Sequence, residues 1–316
     1  LFLSGKQKTR TPCRRTMSQK RVGLSKGKRM KLSEFYPEYM SSCDSLRAST
    51  RVGYESAYRV HLQAAFGDVE LLDITVQRVE TWAARYADRP GACRKAWAVL
   101  RQMLRKAAKW GVIPYDPCSA GVTLPRKKAY TPPTITAKET KTLLQGMWGH
   151  ALEAMMIVAT VCGLRRGEAC GLEWEDIDLR RGVVHVRRSV QYVAGHIVVE
   201  QPKTLLSKRD IPLPRFAVNR LRQLKGKGRL IGDLNPLQVA RKIKTWCRQH
   251  HLPSIPLSNL RTSWATNALE AGVDLKLVSG ILGHTSIETT ARYYLVPHVE
   301  AYKEAQRKYE RFLLAA

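Results

Sequence analysis

Acidic residues are scarce in this chain. Only 26 Asp and Glu stand against 54 Lys and Arg, a formal net charge of +28 over 316 residues. Residues 1–31 contain no acid at all. A fold does not need such an excess. A polyanion partner explains it best, and nucleic acid is the commonest one. Paired cysteines are lacking too. Cys13, Cys43, Cys93, Cys118, Cys162, Cys170 and Cys247 are odd in number, scattered, and form no CxxC. This argues against a disulfide framework and a zinc site, and predicts reduced thiols in a cytosolic protein. No apolar run reaches membrane-spanning length: ALEAMMIVATVCGL is too short and carries Glu153. The opening LFLSGKQK is followed by no long apolar stretch, so no signal peptide is expected. No repeat of fixed period is visible.

What remains is ordinary globular material: 44% hydrophobic and 25% charged residues, in a chain long enough for two domains with real cores. Residues 1–31 have few large apolar side chains and cannot bury a core. They read as a basic arm, as the remnant of an N-terminal domain, or as a solubilising tail. Residues 32–124 look all-helical. STRVGYESAYRVHLQAAFG starts at a Ser/Thr cap and stops at Gly67. ITVQRVETWAARYA has Thr75 as its cap, and RPGACRKAWAVLRQMLRKAAKWG ends at Gly111. In that last helix Trp97, Leu100, Leu104 and Ala107 recur at helical spacing and should face a core. Arg94, Arg101, Arg105 and Lys109 form a separate stripe, either a solvated face or a set of phosphate contacts.

Residues 125–135, within LPRKKAYTPPTIT, read as an extended linker, because its Pro-Pro pair resists both helix and sheet. A second domain then opens over 136–298, with Thr136 as a helix cap and ALEAMMIVATVCGL as a buried helix. GVVHVRRSVQYV, HIVVE and KRDIPLP alternate like strands, with Gly195 between the first two, and predict a small antiparallel sheet. From NPLQVARKIKTWCRQHH onward the pattern is helical again. The expected fold is therefore mainly α, with a small antiparallel β-sheet in an α+β second domain.

Four separated segments carry chemistry. VCGLRRGEACGLEWEDIDL places Arg165 where a buried helix breaks at Gly163. EQPKTLLSKRDIPL sets Lys203 between two strand-like segments. LSNLRTSWATNALEAGVDLKLVSGILGH holds Arg261 and His284, and GHTSIETTARYYL holds Tyr293 beside Tyr294. Two arginines can clamp the non-bridging oxygens of one phosphodiester and stabilise charge building on phosphorus. A tyrosine hydroxyl can attack that phosphorus. A lysine can protonate the departing sugar oxygen, and a histidine can bond the phosphate or handle the nucleophile's proton. Such chemistry needs neither metal nor ATP, so no cofactor is expected.

GLRRGEACGLEWEDID, PKTLLSKRDIPL and NLRTSWATNALEAGVDLKLVSGILGHTSIETTARYY resemble the catalytic domain of the tyrosine recombinase (phage integrase) family. The resemblance covers roughly residues 136–298. Residues 32–124 resemble the family's helical core-site DNA-binding domain more loosely. The resemblance implies that Arg165 and Arg261 are the two catalytic arginines, with Glu168 supporting the first. It implies Lys203 as the hairpin lysine, His284 as the histidine of the LGH box, and Tyr293 as the nucleophile. Tyr294 is then a packing neighbour. One departure stands out. The family usually reads His-x-x-Arg followed by His-Thr, and here the stretch is Ser258-Asn259-Leu260-Arg261-Thr262-Ser263. Serine can hydrogen-bond a phosphate but cannot serve as a base near neutral pH as imidazole can. His250 and His251 lie just upstream.

The implied activity is site-specific DNA recombination by an integrase of a bacterial mobile element, acting in the cytoplasm on double-stranded core sites. A homotetramer would join two sites through a Holliday junction, with a host DNA-bending factor or an excisionase as accessory partners. In residues 299–316, Tyr302, Ala305, Tyr309, Phe312 and Leu313 share a helical face. That face packs either on a neighbouring protomer, as the resemblance implies, or on its own domain. Two rivals are a non-catalytic DNA-binding relative, motivated by Ser258, and a relaxing topoisomerase using the same tyrosine chemistry. The charge excess itself predicts steeply salt-dependent DNA binding. Each neutralised phosphate releases counterions, giving a log–log slope of about −0.9 per contact. Titrating a labelled duplex at several ionic strengths measures it, and a flat response between roughly 50 and 200 mM salt would count against phosphate tracking.

Overall fold

The computed structural model describes residues 29–127, 130–200, 208–284, 286–294 and 299–315. They cluster as two units: residues up to Ser45 with Tyr54–Arg126, and Leu46–Gly53 with those from Lys127 on. Helices dominate, and the strands form two small antiparallel sheets.

Between Leu32 and Lys109 the elements are α1 (Leu32–Ser41), α2 (Ala48–Ala57), a π-turn (Tyr58–Leu62), α3 (Gln63–Phe66), α4 (Val76–Ala84) and α5 (Pro90–Lys109). The Thr75 hydroxyl accepts the Arg78 N–H at 3.3 Å, which satisfies one of the donors a helix start leaves open. Pro90 opens α5, where its missing N–H costs nothing. Beyond its end, Gly111 takes φ +74°, a turn that glycine adopts freely. Trp97, Leu100, Leu104 and Ala107 are buried as their spacing requires, beside Phe35, Leu62, Phe66 and Met103.

The second helical run differs from its expected form. Helix α2 begins at Ala48, so Ser49 and Thr50 lie inside it rather than capping it. The Arg47 carbonyl starts the helix by accepting the Thr50 and Arg51 N–H groups. The run then widens into the π-turn, across which Tyr58 and Leu62 are both buried. Tyr58 stacks on Tyr36 at 3.6 Å between centroids. Gly67 does end this run, but with φ −52° rather than a left-handed turn.

In the second unit α6 (Ala137–Gly146) opens with a reciprocal cap. Thr136 Oγ1 accepts the Glu139 N–H at 3.2 Å, and Glu139 accepts the Thr136 N–H at 2.8 Å. Next comes α7 (Glu153–Val161), buried along nearly all its length at the centre of the unit. After α8 (Arg166–Gly171) come β1 (Ile177–Asp178), β2 (Val183–Val186), β3 (Ser189–Val193), β4 (His196–Glu200) and β5 (Arg209–Pro212). The sheets run β1-β2-β5, with Val184 opposite Ile211, and β3-β4, with Tyr192 opposite Ile197. The run GVVHVRRSVQYV is thus two strands in two sheets, not one. Its break falls at Arg187-Arg188, where Arg188 turns to ion-pair with Asp176 at 3.0 Å and with Glu173. The β3-β4 hairpin turns through Ala194 (φ +49°) and Gly195 (φ +85°), the two positive angles that a tight two-residue hairpin demands.

The remaining helices are α9 (Arg215–Leu224), α10 (Pro236–Gln249), α11 (Leu257–Glu270), α12 (Leu275–Leu282), α13 (Ile287–Tyr294) and α14 (Val299–Leu314). Asn235 caps α10, and Asp274 caps α12 by accepting the Lys276 N–H at 2.8 Å. The six described cysteines are free and buried, and burial pushes the Cys162 thiol up to about 12. No described helix is long and apolar enough to cross a membrane.

Glu153 is buried at the start of α7, and its carboxylate accepts from Arg220 Nε at 2.6 Å, from Arg220 Nη2 at 3.0 Å and from the Gly149 N–H at 2.7 Å. Arg220→Ala should strand that carboxylate and cost about 3 kcal/mol. The urea midpoint reads this. Replacing both partners with methionine should recover most of the loss, because no unpaired charge then remains buried.

Candidate active site

The site grows from one glycine. At Gly163, just past the end of α7, φ is +57°, and a Cβ there would lie 2.8 Å from the Trp264 ring. No other residue combines that angle with that approach. The turn lets Arg165 precede α8 as its N-cap. Glu168, one turn later, accepts the Arg165 backbone N–H at 2.9 Å and Arg165 Nη1 at 2.8 Å. From the opposite side Arg209, first residue of β5, grips the same carboxylate through Nη1 at 3.2 Å and Nη2 at 2.9 Å. Burial disfavours the Glu168 charge. The bonds and charge of Arg209, then of Arg165, outweigh it and hold the carboxyl below its ordinary range.

The C-terminus of α12 collects three arginines. Ile281 O accepts from Arg209 Nε at 2.6 Å, Leu282 O from Arg261 Nη2 at 2.8 Å, and Gly283 O from Arg165 Nη2 at 3.3 Å. Arg261, buried on α11, also donates Nη1 to the Gly163 carbonyl at 3.1 Å. A helix end presents carbonyls without intrahelical partners and a partial negative charge, which suits cations. Gly283 turns the chain left-handed with φ +66°, and His284 follows at once. His284 Nδ1 lies 2.7 Å from the hydroxyl oxygen of Thr290, a buried residue of α13. Burial pushes the imidazole pKa down to about 4, helped by Arg261, Arg165 and Arg209 and opposed by Glu168. At neutral pH the ring is therefore uncharged.

The structure thus brings together Arg165, Glu168, Arg261 and His284. Tyr293 and Tyr294 lie on the α13 backbone, with side chains outside the described structure. Lys203 lies outside the described residues. Ser258 sits in the first turn of α11, one turn before Arg261, exposed and donating to Asn259 Oδ1 at 3.0 Å. His250 stacks on Trp246 at 3.7 Å. His250 Nδ1 also lies 3.0 Å from the Trp246 carbonyl oxygen, so the ring keeps to its own helix end. In the first unit Arg94, Arg101, Arg105 and Lys109 are all exposed. Arg94 donates to the Pro125 carbonyl at 3.1 Å, and Arg105 lies 3.9 Å from Asp116.

Sequence reasoning missed Arg209 and Thr290. A signal for Arg209 existed. It stands two residues before Ile211 in a strand, so the two share a face, and Ile211 is buried. An arginine on an inward face asks for a buried carboxylate. Thr290, one of several small residues in SIETTARYY, carried no such mark.

The displaced imidazole pKa makes stability depend on pH. Folded His284 titrates at about 4 against an ordinary 6.5, so between these values the unfolded chain binds more protons. Its contribution is complete above 6.5 and is lost as pH falls toward 4. Glu168 adds a separate loss below the ordinary carboxylate value of 4.5. In His284→Gln the first decline should vanish. Thermal melts of both proteins from neutral to acid pH test this, and parallel curves would refute a ring held neutral.

Residues 133–299, more than half of the chain, match the phage integrase family. A tyrosine recombinase XerC-like protein of Caldanaerobacter subterraneus is 26% identical over 295 residues, covering 79% of this chain and 74% of that protein. The integrase of Mycobacterium phage D29 is 25% identical over 296 residues, covering 88% and 78%. In structure, the Tn1549 transposon integrase in complex with a circular intermediate DNA gives a TM-score of 0.74 at 17% identity, covering 88% and 99%. A lambda integrase tetramer bound to a Holliday junction gives 0.65 at 20% identity, covering 84% and 78%. At such identities the two structures carry the fold, and the sequence match carries membership: this chain belongs to the phage integrase family, the tyrosine recombinases.

Proposed function

We propose that this chain is the integrase of a mobile element, cutting and rejoining double-stranded DNA at core sites through a 3′-phosphotyrosine intermediate. One observation carries the reading: Arg165, Arg261 and His284 converge on the turn at Gly283, four residues before the helix that bears Tyr293 begins. In this mechanism the Tyr293 hydroxyl attacks phosphorus. The new P–O bond to tyrosine forms as the bond to the 5′ oxygen breaks. Arg165 and Arg261 neutralise the charge that grows on the non-bridging oxygens. Lys203 gives a proton to the leaving 5′ oxygen. Attack by a 5′-hydroxyl from the other duplex reverses the chemistry and seals the strand, without net loss of phosphoester bonds.

His284 enters uncharged. A bound phosphodiester adds a negative charge among the arginines that now depress the imidazole pKa, and so raises it. The ring can then accept a bond to the tyrosine proton or offer one to a phosphate oxygen, as the substrate requires.

Assembly as a homotetramer on two DNA sites is part of the same proposal. It is supported by α14, where Tyr309, Phe312, Leu313 and Leu314 are exposed, more apolar surface than a solvated helix usually shows. Packing of this face on a neighbouring protomer would cover it. A host bending factor or an excisionase would act on that assembly.

Single-turnover adduct formation on a nicked suicide duplex, drawn from the ends of the element carrying this gene, tests the chemistry. Tyr293→Phe should abolish the adduct and leave DNA binding intact, since only a hydroxyl is lost. Adduct lost in Tyr294→Phe but not in Tyr293→Phe would show that the nucleophile is the other tyrosine. Ser258→Ala should slow cleavage only mildly, by the loss of at most one hydrogen bond worth about 1 kcal/mol. Arg165→Ala and Arg261→Ala should be far slower. No adduct from the unaltered protein would favour the non-catalytic reading. Adduct with relaxation but no exchange between duplexes would favour the topoisomerase reading.

A further inference from the structure

We propose that Arg209 is a positioning residue of this site: held in the interior between Glu168 and the Ile281 carbonyl, it fixes Arg165 and the end of α12 without touching DNA itself. The proposal rests on the strand-cleavage reading above.

The guanidinium of Arg209 bonds both Glu168 and the end of α12. Its two terminal nitrogens meet the two oxygens of Glu168, and its Nε meets Ile281 O. Its side chain is 8% exposed, against 43% for Arg165. Arg165 is therefore the one open to a phosphate, and Arg209 stands behind it.

Each Glu168 oxygen is shared. Oε1 accepts from Nη1 of both arginines, and Oε2 accepts from the Arg165 backbone and from Arg209 Nη2. Without Arg209 the carboxylate would be anchored to α8 alone, three residues from the side chain it must steer. With Arg209 it is tied to β5 as well, so the direction of Arg165 is set by two elements. The charge count points the same way. Glu168 and Arg165 alone would cancel. Arg209 offsets the carboxylate and leaves a net positive charge for a phosphodiester.

The charge of the same side chain also acts on His284. The carbonyls of Ile281, Leu282 and Gly283 accept from Arg209, Arg261 and Arg165 in turn, and the imidazole follows directly. Among the described residues, the groups acting on that ring are Arg261 from α11, Arg165 at the N-cap of α8, Glu168 from α8, Arg209 from β5, and the Thr290 hydroxyl from α13. Arg209 is one of the cations that keep the ring neutral, so its loss has a readout independent of cleavage.

The full-length chain is compared with Arg209→Gln, Arg209→Lys, and the double variant Arg209→Gln with Glu168→Gln. Three quantities are measured: adduct formation on the suicide duplex, affinity for the same duplex at fixed salt, and the titration of His284 by NMR. Arg209→Gln should slow adduct formation about a hundredfold, the effect expected of a misplaced catalytic group, while DNA affinity holds. His284 should titrate above about 4. Arg209→Lys should recover part of the rate, because an ammonium restores the charge but not the fork. The double variant strands no carboxylate and so guards against a single variant that fails to fold; it should stay slow. Wild-type cleavage in folded Arg209→Gln or in the double variant would overturn the proposal. So would a rate that falls only in step with DNA affinity, which would make Arg209 a phosphate contact. If the unaltered chain forms no adduct, the strand-cleavage reading fails. The titration of Arg209→Lys, which keeps the charge and loses the fork, then decides: an unmoved His284 overturns the positioning role, and a shift sustains it.

Discussion

Three arginines bind three consecutive carbonyls at the end of one helix, and the rest of the site depends on this contact. The carbonyls of Ile281, Leu282 and Gly283 have no partners within α12, and they point where the helix carries its partial negative charge. Arg209, Arg261 and Arg165 arrive there from β5, α11 and the N-cap of α8. A lysine could not replace any of them equivalently. Each guanidinium divides its planar donors between this helix end and a second partner: the Gly163 carbonyl for Arg261, and the Glu168 carboxylate for the other two.

Such a cluster would repel itself without compensation. Glu168 supplies a carboxylate to two of the three arginines, and the helix end adds part of the rest through dipoles. The balance is left positive. Burial, and after it that imbalance, makes His284 give up its proton far below its ordinary value. A positive balance of this kind favours an anion. A phosphodiester fits the requirement, carrying one charge and two non-bridging oxygens that forked donors can share. The excess of basic residues over the whole chain has the same sign, and steers polyanions at longer range.

Where local pattern governs, sequence and structure agree. Thr75 and Thr136 sit at helix starts because their hydroxyls replace missing backbone partners. Trp97, Leu100, Leu104 and Ala107 are buried because a helix returns to one face every three to four residues. Where a distant partner governs, pattern fails. The strand run through Arg187 and Arg188 was legible as β but not as two sheets, because an ion pair to Asp176 and Glu173 breaks it. The long helix before Gly67 was legible, but not the π-turn within it, where Tyr58 is buried and stacks on Tyr36. His250 stood near Arg261 in sequence, yet its ring stacks on Trp246.

By itself the sequence determined the sign of the charge, the helical character, and a set of residue types able to handle a phosphodiester. Charge sum, periodicity and side-chain chemistry are properties of short stretches, and they survive without a fold. The company each residue keeps is different. Arg165, Glu168, Arg209, Arg261 and His284 span more than a hundred positions, and only packing brings them within hydrogen-bond reach. Tertiary structure alone therefore decided that Arg209 joins the cluster, that Ser258 bonds its own neighbour Asn259, and that His284 is neutral. The physical reason is that burial and the field of neighbouring charges set each of these outcomes, and both are sums over residues that sequence order keeps apart.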